Sequence, residues 1–207
     1  MNRARVINTV IFIPLFIILL FTKPILEALG QDEKVTWYAA QYVFVNLPGV
    51  YFLGMFDLTK RFLNCMKTTW VPMIAQVAAT FLHIYWCNLF VVQRNWDIIG
   101  LGLASSITAC ILLLVTMVYA HLVTEIQPAL ISMDVTVWYG WWEYFSLGVP
   151  TTAILCGEYW AWQILAIISG NLGVVPQASM MITMQVAAMI NTTCLGIQEA
   201  TCVVVGH

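Results

Sequence analysis

Glu158 lies inside the octapeptide Cys156-Gly157-Glu158-Tyr159-Trp160-Ala161-Trp162-Gln163, within an otherwise uncharged run from Tyr144 to Ile168. A carboxylate held in hydrocarbon is costly, and such acids face water-filled cavities, partners or ion pathways. On a helix with 100° per residue, Thr151, Leu155, Trp162, Leu165 and Ser169 fall on the face of Glu158, while Tyr159 and Gln163 form an adjoining polar strip. Indole and phenol rings attract cations and a carboxylate supplies the counter-charge, so this lining suits a flat, partly apolar cation. The ionised acid needs a cation or water beside it, so a proton and a bound cation would compete for the same group. The bland alternative is a protonated Glu158 that hydrogen-bonds a neighbouring helix and holds a bundle together.

Other candidates are weaker. His83 lies between Leu82 and Ile84 in an apolar stretch and reads as a satisfied packing residue. Asp57, just before Lys60 and Arg61, reads as part of a solvated ion pair at a helix end. The stretch around Gln185, Asn191, Thr192, Thr193 and Gln198 is unusually polar for a lipid-facing helix and suggests a face turned to protein or water. Asn191-Thr192-Thr193 matches the glycosylation sequon but lies inside an apolar span. Six cysteines, at 65, 87, 110, 156, 194 and 202, form no C-x-x-C pair and no ligand-like group with histidine, so no metal or other cofactor is expected. No G-x-S-x-G, H-E-x-x-H, phosphate-binding loop or intramembrane aspartate pair is present, and an enzyme is not expected.

The elements that must position these groups follow from composition. Of 207 residues, 61% are hydrophobic and 9% charged, against about a quarter charged in a soluble domain. Six stretches are long enough to cross a bilayer: 6–22, 37–56, 69–92, 98–120, 144–168 and 178–198. They are continuously apolar rather than alternating, which selects helices over barrel strands. The expected fold is all-α, a polytopic bundle of about six transmembrane spans. The formal charge of −2 and the lack of a basic cluster give no reason to expect nucleic acid.

With a cytoplasmic N-terminus, Arg3, Arg5, Lys60, Arg61 and Lys67 collect inside and Lys23, Lys34 and Arg94 outside, so the basic bias favours that orientation. Residues 121–143 then form a cytoplasmic connector whose Trp138, Trp141 and Trp142 suit the interfacial aromatic belt. The basic start followed by an apolar run has the outline of a signal peptide, but no small-residue cleavage site precedes Lys23-Pro24, and the segment is expected to stay. Gly100, Gly102, Ala104, Ser105 and Ser106 form a small-residue stripe that lets helices approach closely.

Several segments resemble the multidrug and toxic compound extrusion (MATE) family of antiporters, most nearly its eukaryotic branch. Leu47-Pro48, then Lys60-Arg61-Phe62-Leu63-Asn64-Cys65-Met66 and Val71-Pro72, resemble the family's Pro-containing fourth helix, its Arg-Phe-Leu-Gln-x-Gln segment and the proline after it. Ile99-Gly100-Leu101-Gly102-Leu103-Ala104 is similar to the entry to the sixth helix. Pro150 to Gly170, with Cys156, Glu158, Trp160 and Ser169-Gly170, is similar to the Glu-containing seventh, and Gly196-Ile197-x-x-Ala200 to the end of the eighth.

The resemblance implies a partial MATE-type fold corresponding to helices three to eight of twelve. Residues 1–143 would be the end of the N-lobe, with four transmembrane helices and the connector, and residues 144–207 the start of the C-lobe, with two. It implies a proton-coupled antiporter that exports organic cations or xenobiotics across the plasma membrane or an endomembrane, with Glu158 as the protonatable residue. The resemblance leaves open whether sodium replaces the proton. Tyr159, Trp162, Gln163 and Gln185 complete the expected proton and substrate site. Gln163 stands where the family has a second acid, and Gln185 where it has an acid or amide. The family's closing Arg-Val-Gly-Asn is Val204-Val205-Gly206-His207 here. The missing helices imply an incomplete copy, or a partner chain that supplies them; the alternative function is a non-transporting membrane scaffold or relic fragment.

Overall fold

The computed structural model describes residues 2–123 and 141–205. Six helices in it are long and apolar enough to cross a membrane, within Arg3–Leu20, Glu33–Cys65, Trp70–Gln93, Asp97–Leu122, Gly148–Asn171 and Val174–Gln198. No strand occurs among the described residues. The chain is therefore an all-helical bundle of membrane-spanning type, as its uncharged runs dictate. The helices are α1 (Asn2–Leu20), the short α2 (Thr22–Ala28), α3 (Glu33–Cys65), α4 (Trp70–Cys87), α5 (Asp97–Leu122), α6 (Trp141–Asn171) and α7 (Val174–Val205).

Several helices run beyond the expected spans, and three differences from the sequence reading matter here. The second span was expected to stop at Phe56, where Asp57, Lys60 and Arg61 begin, but α3 continues to Cys65. Charge ends an apolar run without ending a helix, and 33 residues rise about 50 Å, more than the hydrocarbon thickness. Asp57 is thus inside α3 rather than beyond a helix end. Next, α4 passes into a π-helical segment, Asn88–Gln93, for which the sequence carries no periodic signal. Finally, α6 begins at Trp141, so the connector expected over 121–143 is shorter at both ends; Trp138 lies outside the described residues, and the Trp142 side chain is exposed.

The chain forms two units, Met1–Ile25 with Lys34–Val137, and Leu26–Glu33 with Trp138–His207. The interior of the first lies among α3, α4 and α5. Phe56, Ala79 and Leu112 form one buried cluster, and Leu63 with Ala120 another. The small-residue stripe packs as expected: Gly100, Gly102, Ala104, Ser106 and Ala109 are all buried on α5. A Cβ on Gly49 would stand 2.8 Å from Ser106 Cα, so α3 and α5 touch backbone to backbone. There the Ser106 hydroxyl donates to Val45 O at 3.1 Å, one residue from the carbonyl of Phe44, whose helical donor Pro48 removes. Outside this core, α1 meets α3 through Phe12 and Tyr51, with ring centroids 5.0 Å apart, and through the Thr9 and Tyr51 hydroxyls at 3.2 Å.

In the second unit α6 and α7 pack together across a turn at Leu172–Gly173, where Gly173 has φ +123°. Gln31 fastens the segment 26–33 to this turn. Its Nε2 donates to Ile167 O at 3.4 Å and to Asn171 Oδ1 at 3.2 Å, while its Oε1 accepts from Gln177 Nε2 at 3.1 Å.

Candidate functional site

The expected site sits on α6 and α7. Tyr159, Trp162 and Gln163 lie on α6 and Gln185 on α7, all exposed, with Tyr159 at 56% and Trp162 at 44%. Glu158 belongs to the same helix; its side chain lies outside the described residues. Packing on this helix goes through Ala166, 3% exposed, which follows Trp162 by one helical step. The Ser169 hydroxyl is satisfied within α6 by Ala166 O at 2.8 Å.

The polarity of α7 divides into two kinds. Thr183, Thr192 and Thr201 each donate to the carbonyl four residues earlier, at 3.0, 2.8 and 2.9 Å. Hydroxyls bonded back in this way can face hydrocarbon without an outside partner. The other kind is the exposed amides of Gln185, Asn191 and Gln198.

Sequence reasoning missed a polar cavity in the first unit. A cleft of about 430 Å³ opens among α3, α4 and α5, lined by Tyr42, Asn46 and Gly49, by Gln76, Thr80 and His83, and by Ser105 and Thr108 above an apolar floor. The signal was present. Tyr42, Asn46 and Gly49 follow an i, i+4, i+7 pattern, as do Gln76, Thr80 and His83, so two apolar helices each carry one polar stripe.

His83 is satisfied, as its apolar neighbours suggested, and it also lines this cleft. Its Nδ1 lies 3.1 Å from Thr108 Oγ1 and its Nε2 3.4 Å from Cys87 Sγ. Thr108 gives its own proton to Ala104 O at 2.7 Å. Its oxygen therefore accepts from His83 Nδ1–H, which leaves Nε2 as the acceptor facing the Cys87 thiol. The lining holds no Asp, Glu, Lys or Arg, and its chemistry is hydrogen bonding to an uncharged polar group or water.

Cys65, Cys87, Cys110, Cys156 and Cys194 are not joined in disulfides. Among the described residues no three His, Cys, Asp or Glu side chains gather as a metal site.

Comparison with known proteins finds similarity along the whole chain. Residues 1–89 match the MatE family model. Protein DETOXIFICATION 36 of Arabidopsis thaliana is 23% identical over 209 residues, covering 100% of this chain and 42% of the relative. Multidrug and toxin extrusion protein 1 of Oryctolagus cuniculus is 25% identical over 207 residues, covering 100% of this chain and 36% of the relative. The chain is similar to MATE proteins. Its fold agrees with the crystal structure of the eukaryotic MATE transporter AtDTX14, with a TM-score of 0.77 at 20% identity over 87% of this chain and 41% of that one. The MATE-like chain thus spans about two fifths of the length of the relatives it matches. Those relatives are named for detoxification and for multidrug and toxin extrusion.

Proposed function

We propose that this MATE-like chain is part of a proton-coupled antiporter that exports organic cations, with Glu158 as the group for which proton and cation compete. The observation that carries the reading is the α6 face beside Glu158. Tyr159, Trp162 and Gln163 are exposed rather than packed, so rings and an amide are accessible on the helix that bears the acid. Ionised Glu158 binds the cation by charge, Trp162 and Tyr159 hold its apolar part through their ring faces, and Gln163 and Gln185 hydrogen-bond its polar substituents. Protonation of Glu158 removes the counter-charge and releases the cation. Alternating access in secondary transporters rocks one repeat against another around a midplane site. The cycle therefore requires helices beyond these six, in the same polypeptide or in a partner chain. The reading implies a multi-pass protein of the plasma membrane or an endomembrane with the N-terminus cytoplasmic, and no catalysis of covalent chemistry.

Binding tests this without a full transport cycle. The purified chain in lipid nanodiscs is exposed to a photoactivatable quaternary ammonium at a series of pH values, and labelled peptides are mapped. Labelling of α6 should fall as pH is lowered and be lost in Glu158→Gln. Equal labelling of α6 in Glu158→Gln, with the same pH profile, would overturn the mechanism. In proteoliposomes of a complete transporter that contains this segment, the same substitution should abolish cation uptake driven by a pH gradient.

A further inference from the structure

Cys87 is the last residue of α4, one turn after His83, and its thiol is half-buried and outside any disulfide. Its S–H donates to His83 Nε2 at 3.4 Å. The other ring nitrogen donates to Thr108 Oγ1 at 3.1 Å, and Thr108 donates in turn to Ala104 O at 2.7 Å. A nucleophile, a base and a group that orients the base are thus joined in order, the arrangement by which weak side-chain nucleophiles are activated.

Packing explains less of this. A histidine that only fills space can take either tautomer, whereas here the donors run in one direction and leave the imidazole an acceptor toward sulfur. The i, i+4 spacing of His83 and Cys87 is regular α-helix. The π-helical segment begins only after Cys87 and is closed by Phe90 against Trp96, with ring centroids 5.6 Å apart. Cys110 and Cys156 are half-buried as well, but among the described residues neither bonds an imidazole.

The surroundings select what such a thiol meets. His83 is the last α4 residue in the lining of the 430 Å³ cleft, and that lining holds no charged side chain. Both His83 and Cys87 lie within the span Trp70–Gln93, so a reactant arrives as a neutral, lipid-soluble molecule. The Thr80 and Ser105 hydroxyls in the cleft are spent on Gln76 O at 2.9 Å and Leu101 O at 3.0 Å. The Asn46 Oδ1 accepts from Ser106 at 3.3 Å, which leaves its N–H groups, with those of Gln76, as donors for a carbonyl oxygen.

We propose that Cys87, with His83 as its base, is a modification site for lipid-soluble α,β-unsaturated carbonyl compounds that enter this cleft. As Sγ bonds the β-carbon, Nε2 takes the thiol proton and the C=C π pair moves into an enolate. The imidazolium then returns that proton to the α-carbon. One S–C and one C–H bond replace the S–H bond and the π bond, with no leaving group and no oxidant. Thr108 is a positioning residue, which accepts from Nδ1–H before and after the proton moves. The inference stands on the first unit alone and does not depend on Glu158.

The test is the full chain in nanodiscs treated with N-ethylmaleimide, an uncharged α,β-unsaturated imide, with each cysteine's labelling followed in time by peptide mass spectrometry. Cys87 should react at least about tenfold faster than Cys110, since a positioned base contributes that much or more. His83→Gln should remove the advantage while the rates at Cys110 and Cys156 stay as in the parent chain. Thr108→Val should slow Cys87 in step with the fraction of His83 protonated at Nε2, read from nitrogen-15 spectra of the same sample. A parent rate at Cys87 no faster than at Cys110, or an undiminished Cys87 rate in both variants, would overturn the proposal.

Discussion

His83 on α4 and Thr108 on α5 are joined by a hydrogen bond of 3.1 Å, and the direction of that bond fixes the tautomer of the imidazole. Because Thr108 donates to Ala104 O, His83 carries its proton on Nδ1, and Nε2 accepts from Cys87.

The tautomer is directly measurable. Nitrogen-15 spectra of histidine-labelled chain should show His83 protonated at Nδ1, and Thr108→Val should shift the proton to Nε2, since valine removes the acceptor while keeping the shape. The same variant should cost about 1 kcal/mol, the net worth of one part-buried hydrogen bond. An Nε2-protonated ring in the parent chain would show that the bond runs the other way.

Gly49 tests the contact between α3 and α5. An added Cβ would lie 2.6 Å from Asn46 Oδ1 and 2.8 Å from both Oγ and Cα of Ser106. The amide can turn aside, but the Cα cannot. Gly49→Ala should therefore destabilise the first unit by about 1–3 kcal/mol, the usual cost of overpacking, and Ser106→Ala in the same chain should not restore it. Gly148→Ala on α6 is the control, because a Cβ there meets nothing within 4 Å; its thermal midpoint should not fall.

These contacts show where the sequence was readable. Six spans were legible because hydrocarbon demands long uncharged runs, and the burial of Gly100, Gly102, Ala104 and Ser106 was legible because membrane helices approach through small residues. The reach of α3 to Cys65 was hidden by Asp57, Lys60 and Arg61, since hydropathy records the membrane and helices continue beyond it. The cleft beside His83 was recoverable from polar stripes on α3 and α4, but only once those stripes are known to face one another. The Gln31 contacts join residues separated by 136 to 146 positions, and no local pattern announces such a pairing. Nor does any local signal give the π-helical segment after Cys87, which is closed by the stacking of Phe90 on Trp96.

Gly170 forms the floor under Gln31. A Cβ at Gly170 would collide with Gln31 Oε1 and lie 2.9 Å from the Nε2 atoms of Gln31 and Gln177. Gly170→Ala should expel the Gln31 amide from its place against Asn171 and Gln177, and Gln31→Ala should remove it outright. Both variants should speed amide hydrogen exchange across 26–33 several-fold relative to the parent chain, whereas Gly148→Ala should leave it unchanged. Undisturbed protection of 26–33 in both would mean that other contacts hold the segment.

Lys67 occupies a position that favours glycine. At the end of α3 the amide of Thr68 donates to Leu63 O at 3.0 Å and that of Lys67 to Asn64 O at 3.0 Å, the paired bonds of a Schellman cap, with Lys67 at φ +59°. The same two bonds close α2, from Gln31 to Leu26 O and from Gly30 to Glu27 O, and there the left-handed residue is glycine at φ +74°. A side chain in that conformation costs about 1 kcal/mol that glycine avoids. Lys67→Gly should accordingly stabilise the chain by up to about 1 kcal/mol, read as a higher unfolding midpoint in detergent. Lys67→Ala separates conformation from charge, since it removes the ammonium but keeps the Cβ: it should show no gain. Equal midpoints for the glycine and alanine variants would mean that the charge of Lys67, rather than its backbone, sets the stability of this helix end.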